Sequence, residues 1–309
     1  MENDRAVYDV VILGGGPAGL SAAVYAARKM MKAVIVSGNM GGQVASYYDI
    51  ENYLGFSMVE AADLITRFER HVDRFGLEKA VGAKVISAEL DGPVKRLVTE
   101  NGREFLSRTI IIATGKRPRP LNVPGEQELT GRGVAYCSTC DAPLYRGSAV
   151  AVVGGGNSAL EAVIDLAKVA TRVTLVSLTP LTGDPILIKK VNEFGNLEIL
   201  TEHETLAVLG SKNGVTGLHI RKIGDEKARD IAVEGIFIEI GLLPNSELFG
   251  GRMELNPGGE IVVDAKCRTS VKGIFACGDV TDVPYKQVVI AVGEGAKAAL
   301  AAHEYLIRG

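Results

Sequence analysis

The stretch "AYCSTCDAPLY" contains the residues best suited to chemistry. Cys137 and Cys140 are separated by two residues, and Asp141 follows directly. Two thiols at this spacing can bind a metal, form a structural disulphide or carry electrons. A carboxyl beside them can supply or accept a proton, and Asp141 can equally serve as the N-cap of a helix that follows the pair.

A redox dithiol is the interpretation that the rest of the chain favours. Structural zinc usually takes four ligands, often from two such pairs, but Cys267 and Cys277 form no second pair and the four histidines are scattered. A structural disulphide closing so short a loop restrains the unfolded chain little. A zinc-stabilised dinucleotide sensor remains as the non-enzymatic alternative, which metal analysis would test.

Composition narrows the class of protein. The chain has 309 residues, 47% of them hydrophobic, and a net charge of -3, which gives no electrostatic reason to expect nucleic acid or a membrane as partner. No apolar run approaches the roughly 18–20 residues that span a bilayer. The polar start "MENDRAVYD" is unlike a secretory signal. We therefore expect a cytoplasmic protein.

Two segments of the chain resemble each other and indicate the elements that must position the cysteines. They are "VYDVVILGGGPAGLSAAVYAARKMMKAVIVSG" and "SAVAVVGGGNSALEAVIDLAKVATRVTLVS". Each has an apolar strand, a glycine-rich turn, a helical pattern and a second strand, which is a βαβ unit. The sequence therefore predicts an α/β protein with two Rossmann-like, three-layer dinucleotide-binding domains.

The glycines of these two units fit a known physical requirement. They follow GxGxxG in the first copy and GxGxxA in the second, at Gly14, Gly16, Gly19 and at Gly154, Gly156, Ala159. Such loops permit a tight turn, close approach of a pyrophosphate and close packing of helix on strand. Where such motifs usually carry an acid for the ribose, this chain has Ser37 and Ser177.

The order of these features predicts an inserted domain. The apolar run "GIFAC" ends at Gly278 and Asp279, and "TIIIATG" ends at Gly115. A carboxylate at that point can meet a sugar-like hydroxyl chain, or Gly-Asp can be a surface turn. The segments "ATGKRPRPLNVPGEQ" and "IGLLPNSELFGG" indicate connections between domains. We predict one domain at residues 1–117 and 246–309, with a second inserted at residues 118–245.

Taken together, these motifs resemble the low-molecular-weight thioredoxin reductase family over essentially the whole chain. The resemblance rests on "GGGPAG", "GGQ", "IENYLGF", "ATG", the cysteine pair, "VVGGGNSALEA" and "GIFACGDV". It is nearest to the reductase part of the alkyl hydroperoxide reductase flavoprotein subunit, through "GQVASYYDIENYLG", "EIGLLPN", "VDAKCRTSVKGIF" and "VPYKQVVIAVGEGAKAALAAHEYLIR".

The resemblance implies FAD on the outer domain and a nicotinamide dinucleotide on the inserted one. The FAD residues that it implies are Gly14, Gly16, Pro17, Ala18, Gly19, Ser37, Gly42, Gln43, Asn52, Thr114, Gly115, Gly278, Asp279, Lys286, Gln287 and Val288. The NAD(P) residues that it implies are Gly154, Gly156, Asn157, Ser158, Ala159 and Ser177.

The same resemblance assigns roles to the cysteine pair. Cys140 is the sulfur expected nearest the flavin, Cys137 is the interchange thiol that attacks a partner disulphide, and Asp141 handles the proton. The inserted domain is expected to swing, so that it presents nicotinamide and disulphide to the flavin in turn. The resemblance also implies a homodimer.

Two departures from the relatives shape the expected donor and acceptor. The hydroperoxide reductase flavoprotein carries an N-terminal extension of tandem thioredoxin-like folds, and this chain begins at the first strand. We therefore expect a separate thioredoxin, glutaredoxin-like protein or tandem-thioredoxin-fold protein as acceptor.

The segment "VSLTPLTGDP" carries neither the arginine cluster of NADPH-using relatives nor the Glu of the NADH-using flavoprotein at Ser177. We predict NADH over NADPH; a ferredoxin-dependent reductase and a flavin thiol oxidase remain as alternatives.

Overall fold

The structure, a computed structural model, describes residues 7–46, 49–50 and 52–308, except for the side chains of residues 46, 49, 139 and 140. These residues form two compact units. Pro118–Leu242 forms the second unit, and apart from residue 49 the other described residues form the first. The chain thus leaves the first unit after residue 117 and returns to it at residue 243. The domain division given above, with boundaries after residues 117 and 245, stays a prediction.

The strands of the described residues follow in chain order. They are β1 (Val7–Gly15), β2 (Ala33–Met40), β3 (Asp49–Ile50), β4 (Val59–Glu60), β5 (Glu78–Val81), β6 (Val85–Glu89), β7 (Lys95–Thr99), β8 (Glu104–Ile112), β9 (Lys116–Pro118), β10 (Val134–Ala135), β11 (Ala149–Val153), β12 (Arg172–Val176), β13 (Leu197–Leu200), β14 (His203–Ser211), β15 (Gly214–Lys222), β16 (Ala228–Ala232), β17 (Gly235–Ile238), β18 (Leu242–Pro244) and β19 (Ile274–Ala276).

The helices separate and flank these strands. The α-helices are α1 (Pro17–Arg28), α2 (Ala61–Asp73), α3 (Glu126–Leu129), α4 (Ser138–Asp141), α5 (Asn157–Ala167), α6 (Pro185–Val191) and α7 (Val288–Arg308). Short 3-10 helices lie at Gly42–Ser46, Ala142–Tyr145, Glu247–Phe249 and Gly278–Val280. Over the part of the chain described above, none of the helices combines the length and the apolar character that a membrane span requires.

The first unit is built on a seven-stranded sheet. Its order is β5-β2-β1-β8-β7-β6, and β19 also pairs with β8. The strands β5, β2, β1, β8 and β19 are parallel, whereas β7 and β6 are antiparallel additions at one side. Helices α1 and α7 pack together against this sheet. Parallel strands joined by crossover helices produce this Rossmann-like arrangement.

The second unit repeats the parallel core at smaller size. Its sheet has the order β10-β17-β11-β12-β13, with every pair parallel. A separate antiparallel sheet, β14-β15-β16, accompanies it. One face of the parallel sheet packs on α5, and the opposite face packs on the antiparallel sheet. The third layer predicted for this domain is therefore a small sheet.

The central strands explain why the sequence pattern was continuous rather than alternating. In β1, Val10 and Ile12 belong to the hydrophobic cluster around α1, whereas Val11 and Leu13 belong to the cluster on the opposite face. A strand buried on both faces needs apolar side chains at every position. These strands are therefore fully buried along their length. Their burial fixes the position of the glycine turns that follow their carboxyl ends.

Candidate active site

The first glycine loop, between β1 and α1, has backbone geometry that only glycine fits. Gly14 has a φ of +113°, and a Cβ on it would lie 2.2 Å from the carbonyl oxygen of Ala113. A Cβ on Gly19 would lie 1.9 Å from the carbonyl oxygen of Gly14. Gly16 is the N-cap of α1 and Pro17 its first residue, and the Gly16 cap provides no side-chain hydrogen bond. The start of α1 is thus a helix N-terminus that can receive an anion.

The second loop, between β11 and α5, reproduces this geometry in the other unit. Gly154 has a φ of +147°, and a Cβ there would lie 2.2 Å from the carbonyl oxygen of Glu239. The same hypothetical Cβ would lie 3.0 Å from the Cβ of Ala159. Gly156 is the N-cap of α5, again without a side-chain cap bond, and the helix begins at Asn157. The structure therefore places both predicted loops in strand-turn-helix context.

Ser37 and Ser177, which stand where ribose-binding acids are expected, lie against the glycine loops. Ser37 contacts Gly15, and Ser177 lies against Gly155. Ser37 Oγ accepts a hydrogen bond from the N–H of Gly15 at 2.8 Å and donates to the carbonyl oxygen of Asn39 at 2.5 Å. Ser177 is buried, and a Cβ on Gly155 would lie 2.3 Å from its Oγ. Both hydroxyls thus lie on the buried side of their glycine loops.

Two further glycines among the predicted FAD residues, Gly42 and Gly278, lie close to the first loop. A Cβ on Gly42, whose φ is +59°, would lie 3.2 Å from the Cα of Gly16. A Cβ on Gly278 would lie 2.9 Å from the Cβ of Ala18. Glycine at these positions leaves a backbone-lined cradle beside the N-terminus of α1 that side chains would fill.

Asp279 adds a carboxylate to this cradle. The side-chain amide of Gln43 donates to Asp279 Oδ2 at 3.3 Å. Burial raises the pKa of Asp279 above its ordinary value, although the charges of Lys286 and Lys116 and the bond from Gln43 oppose the rise. The ammonium of Lys286 lies 3.2 Å from Glu260 Oε1, and that of Lys116 lies 2.5 Å from the same oxygen. The predicted Lys286 is thus paired within the protein.

Thr114 and Gly115 connect the end of β8 to a later segment of the same unit. The Thr114 hydroxyl donates to the carbonyl oxygen of Asn245 at 2.8 Å, and the Asn245 amide donates back to the Thr114 carbonyl at 2.8 Å. Gly115 has a φ of +66°, and its carbonyl accepts from the N–H of Asn245 at 3.0 Å. These bonds fix the turn after the strand.

Asn52, Gln287 and Val288 come together at the start of α7. The Asn52 amide donates to Gln287 Oε1 at 3.1 Å, and Val288 is the first residue of the helix. The structure thus brings the predicted FAD residues into one unit, and their individual roles stay predictions.

The residues present fit the dinucleotides implied by the family resemblance. In the first unit, an uncapped helix N-terminus meets a cradle of glycines and one carboxylate, which suits a pyrophosphate and a hydroxyl chain. In the second unit, a Cβ on Gly156 would have one neighbour, the Thr182 hydroxyl at 4.0 Å. The second loop therefore leaves room for a phosphate to approach its backbone.

The cysteine pair lies in the second unit, at the start of α4. Cys137 is disulphide-bonded and is the N-cap of this helix, with extended backbone. Cys140 lies within α4, and its side chain is outside the described atoms. Cys267 and Cys277 are buried free thiols of the first unit. Burial raises the pKa of Cys277 and, with the adjacent Glu294, raises that of Cys267 to about 12, so neither suits redox exchange.

Asp141 is the last residue of α4 and is half-buried. Desolvation raises the pKa of its carboxyl from 3.8 to about 6. Asp141 occupies the N-cap position of the 3-10 helix Ala142–Tyr145 but makes no side-chain cap hydrogen bond there. The capping role considered from sequence is therefore not what this side chain does, and a carboxyl that titrates near pH 6 is suited to proton exchange.

A pocket of about 350 Å³ opens beside Cys137 within the second unit. It is lined by Tyr136, Cys137, Ser138, Ser158, Glu161, Ile164, Asp165 and Glu239. Sequence reasoning missed Glu239, which directly follows β17. Its carboxylate accepts from the N–H of Ser138 at 3.3 Å and from the hydroxyl of Ser158. A signal for it exists in the two similar strand ends "IIATG" and "FIEIG", in which Glu239 takes the place of Ala113.

No group of three or more His, Cys, Asp or Glu side chains in the described ranges could hold a metal ion.

Comparison with known proteins places this site in a family. A family model described as pyridine nucleotide-disulphide oxidoreductase matches residues 8–295. The chain is 45% identical over 309 residues to an alkyl hydroperoxide reductase component of Pseudomonas putida, covering 99% of this chain and 59% of that protein. It is 44% identical over 310 residues to the component of the same name in Escherichia coli, covering 99% and 60%. The chain thus spans about three fifths of these curated relatives.

Solved structures agree with the sequence relatives. A thioredoxin reductase from Streptococcus pyogenes superposes with a TM-score of 0.88 at 34% identity, covering 99% of this chain and 100% of that chain. A thioredoxin reductase from Giardia duodenalis gives a TM-score of 0.87 at 31% identity, covering 98% and 100%. The predicted resemblance, fold class and class of enzyme are confirmed. The chain belongs to the pyridine nucleotide-disulphide oxidoreductase family.

Proposed function

We propose that the chain is a flavin-dependent disulphide reductase, which passes electrons from a reduced pyridine nucleotide through FAD and the Cys137–Cys140 pair to a thioredoxin-fold protein. The observation that carries this proposal is the disulphide-bonded Cys137, which borders the same pocket as Ser158 of the second nucleotide loop. The disulphide and the loop assigned to the pyridine nucleotide thus share one unit, and we expect this unit to present each of them to the flavin in turn.

Each nucleotide is assigned to one unit. FAD is assigned to the glycine cradle around Gly14 and Gly16 with Asp279, in the domain of residues 1–117 and 246–309. The pyridine nucleotide is assigned to the loop at Gly154 and Gly156, in the domain of residues 118–245. When bound, FAD supplies the two-electron centre between a hydride donor and a disulphide.

The cysteines carry the exchange with the acceptor. Once the pair is reduced, the Cys137 thiolate attacks one sulfur of the acceptor disulphide, forming a mixed disulphide and releasing one acceptor thiolate. The Cys140 thiolate then attacks Cys137 Sγ, which re-forms the intramolecular disulphide and releases the second acceptor thiolate. Two electrons leave the chain with the reduced acceptor, and the two protons lost when the cysteine thiols become thiolates are taken up by the two acceptor thiolates.

Asp141 is proposed to hold the proton that this exchange moves. It follows Cys140 directly, and its raised pKa of about 6 lets it carry a proton in slightly acid solution and lose it near neutrality. A carboxyl with a pKa near the working pH is an effective acid or base.

The acceptor is proposed to be a separate small protein with a thioredoxin fold, single or tandem, or a glutaredoxin-like one. Support comes from the thioredoxin reductase structures, whose chains this chain covers over their whole length. By the same likeness we propose a homodimer, to be measured by light scattering. The donor is proposed to be NADH, because Ser177 and the segment after it offer no arginine for a 2′-phosphate.

The test is a trapping experiment on a lysate of the native cells. A Cys140→Ser variant, reduced and then mixed with the lysate, should hold the acceptor as a mixed disulphide on Cys137, and a Cys137→Ser variant is the matched control. Recovery of a thioredoxin-fold protein from the first variant alone is the expected result. Failure to trap one, together with fast turnover of a low-molecular-weight disulphide, would refute the proposed acceptor.

A further inference from the structure

Glu239 connects the two working parts of the second unit. One oxygen of its carboxylate accepts from the N–H of Ser138, the residue that follows Cys137, at 3.3 Å. The other oxygen accepts from the hydroxyl of Ser158, the second residue of α5. A single side chain therefore contacts the residue beside the disulphide and the start of the nucleotide-binding helix.

Comparison of the two repeats separates the role of the Glu239 side chain from that of its backbone. In the first unit, Ala113 occupies the matching place: its carbonyl oxygen covers Gly14 as that of Glu239 covers Gly154, both at 2.2 Å from a hypothetical Cβ. The N–H of Ala113 donates to Leu13 at 2.7 Å, and that of Glu239 donates to the matching β11 residue at 2.8 Å. An alanine is thus sufficient for the backbone role, and the carboxylate has a separate one.

The carboxylate is held at a cost. Glu239 is half-buried, and desolvation raises its pKa, while the bonds from Ser158 and Ser138 lower it and nearby Glu161 raises it. Burial of a charged or polar group is unfavourable unless hydrogen bonds compensate. The N–H of Ser138 in α4 and the hydroxyl of Ser158 in α5 provide that compensation. Movement of either helix therefore changes the hydrogen bonds to the carboxylate.

We propose that Glu239 is a positioning residue which couples the redox state of the cysteine pair to binding at the second nucleotide loop. Reduction of the disulphide frees the Cys137 end of α4 and changes the contact between Ser138 and Glu239. Glu239 transmits that change to Ser158 and hence to the N-terminus of α5. Such coupling is reciprocal: if the redox state alters nucleotide affinity, bound nucleotide alters the disulphide equilibrium by the same factor.

The proposal rests on the proposed function, and its test is chosen to separate the two. The probe is ADP-ribose, which has the pyrophosphate and ribose of the nucleotide but cannot exchange hydride. Its affinity for the FAD-loaded protein is measured by anaerobic calorimetry, once with the disulphide intact and once after reduction by a phosphine. We expect the two dissociation constants of the wild type to differ by about fivefold or more.

Three variants test whether Glu239 carries the difference. Glu239→Ala should bring the ratio of the two dissociation constants close to one, and the alanine of the first repeat shows that this position accommodates it. Glu239→Gln retains an acceptor for Ser138 and gains an amide donor for Ser158, so it should keep most of the ratio. Glu198→Gln changes an exposed carboxylate of β13 that lies outside the pocket and pairs with Arg229, so it should leave the wild-type ratio unchanged.

The outcomes separate cleanly. A wild-type ratio near one with measurable binding overturns the coupling and leaves the proposed function standing. A wild-type ratio that persists in Glu239→Ala, or that falls equally in Glu198→Gln, shows that Glu239 does not carry it. Absence of ADP-ribose binding in both redox states contradicts the nucleotide assignment itself, and the coupling with it.

Discussion

The two βαβ repeats, β1-α1-β2 and β11-α5-β12, share a backbone and differ in what surrounds it. Each has a glycine with positive φ, covered at the same distance by the carbonyl of a neighbouring strand end. Around the first loop lie further glycines, Gly42 and Gly278, with one carboxylate at Asp279. Around the second lie Glu239 and the helix that begins after Cys137. The common backbone explains nucleotide binding, and the differing neighbours explain why one unit is assigned FAD and the other the disulphide.

The largest expected effect comes from the cysteines, which have no counterpart in the first repeat. Cys137→Ser should lower disulphide transfer by on the order of a thousandfold or more, because it removes the attacking thiol. Reduction of bound flavin by NADH should continue, since that step uses other groups. Stopped-flow absorbance and a disulphide-reduction assay measure the two steps separately.

Cys277, one of the two buried thiols of the first unit, provides the control for that substitution. Cys277→Ala removes a sulfur without removing the pair, and it should retain disulphide transfer. Near wild-type transfer by Cys137→Ser, or equal loss in both variants, would show that the pair is not the redox centre.

The next effect separates the two loops by nucleotide. Gly14→Ala should abolish tight FAD binding and yield colourless protein, whereas Gly154→Ala should stay yellow and lose pyridine-nucleotide binding. Each Cβ would lie 2.2 Å from a carbonyl oxygen at a positive φ, so the loop must shift. Flavin content by absorbance and NADH-dependent flavin reduction are the measurements.

Gly38→Ala and Gly195→Ala are the matched controls for the two loops, because a Cβ at either has no heavy atom within 4 Å. Both should behave as the wild type. If Gly14→Ala lost nucleotide reduction but kept its flavin, the assignment of the loops would be reversed.

A smaller effect concerns the donor. NADH should be used better than NADPH, because a 2′-phosphate needs charge-assisted contacts, each contributing about 1.5–3 kcal/mol, or roughly ten- to a hundredfold in affinity. Leu178→Arg places a guanidinium on the exposed residue after Ser177 and should raise the catalytic efficiency with NADPH. Leu178→Gln, of similar polarity without the charge, should not. Wild-type efficiency with NADPH equal to or above that with NADH would contradict the prediction.

The smallest effect is on stability, through Asp141. Because its pKa is raised from 3.8 to about 6, its protonated form favours the folded state, fully below pH 3.8, and this contribution is lost as pH rises through 6. Asp141→Asn should therefore gain stability relative to the wild type between pH 4 and pH 8, by at most about 3 kcal/mol. Denaturant unfolding at both pH values measures it.

Asp264→Asn is the control of opposite sign. Burial acts to raise the pKa of Asp264, but hydrogen bonds from Arg268 and Lys266 outweigh it and lower the pKa. That carboxylate stabilises the fold at neutral pH and loses this as pH falls, so the variant should lose stability relative to the wild type between pH 4 and pH 8. The same trend in both variants would show that Asp141 is not held in a desolvated site.

The features that sequence could predict are local ones. Both glycine loops follow from short patterns, because a β-branched strand, a glycine turn and a helix specify each other within about thirty residues. The cysteine pair is equally local. Asp279 could be proposed because it directly follows an apolar strand end.

The features that sequence could not predict depend on neighbours far along the chain. Glu239 is 101 residues from Ser138, and Lys116 is 144 residues from Glu260, so no periodicity connects them. The bonds of Ser37 to the loop depend on a turn whose shape is visible only after folding. The antiparallel sheet that covers one face of β11 also depends on tertiary packing. A helix at that place would bury the same apolar side chains, so the strand pattern alone does not distinguish the two.

The central claim, that electrons entering at the second loop reach Cys137 through bound flavin, is tested most directly by anaerobic titration of the FAD-loaded protein with NADH. The wild type should consume two molecules of NADH per chain, one for the flavin and one for the disulphide, because each is a two-electron centre. Cys137→Ser should consume one, with the same final bleaching of the flavin. Equal consumption by both proteins would contradict the account, because the disulphide would then not be in the path of the electrons.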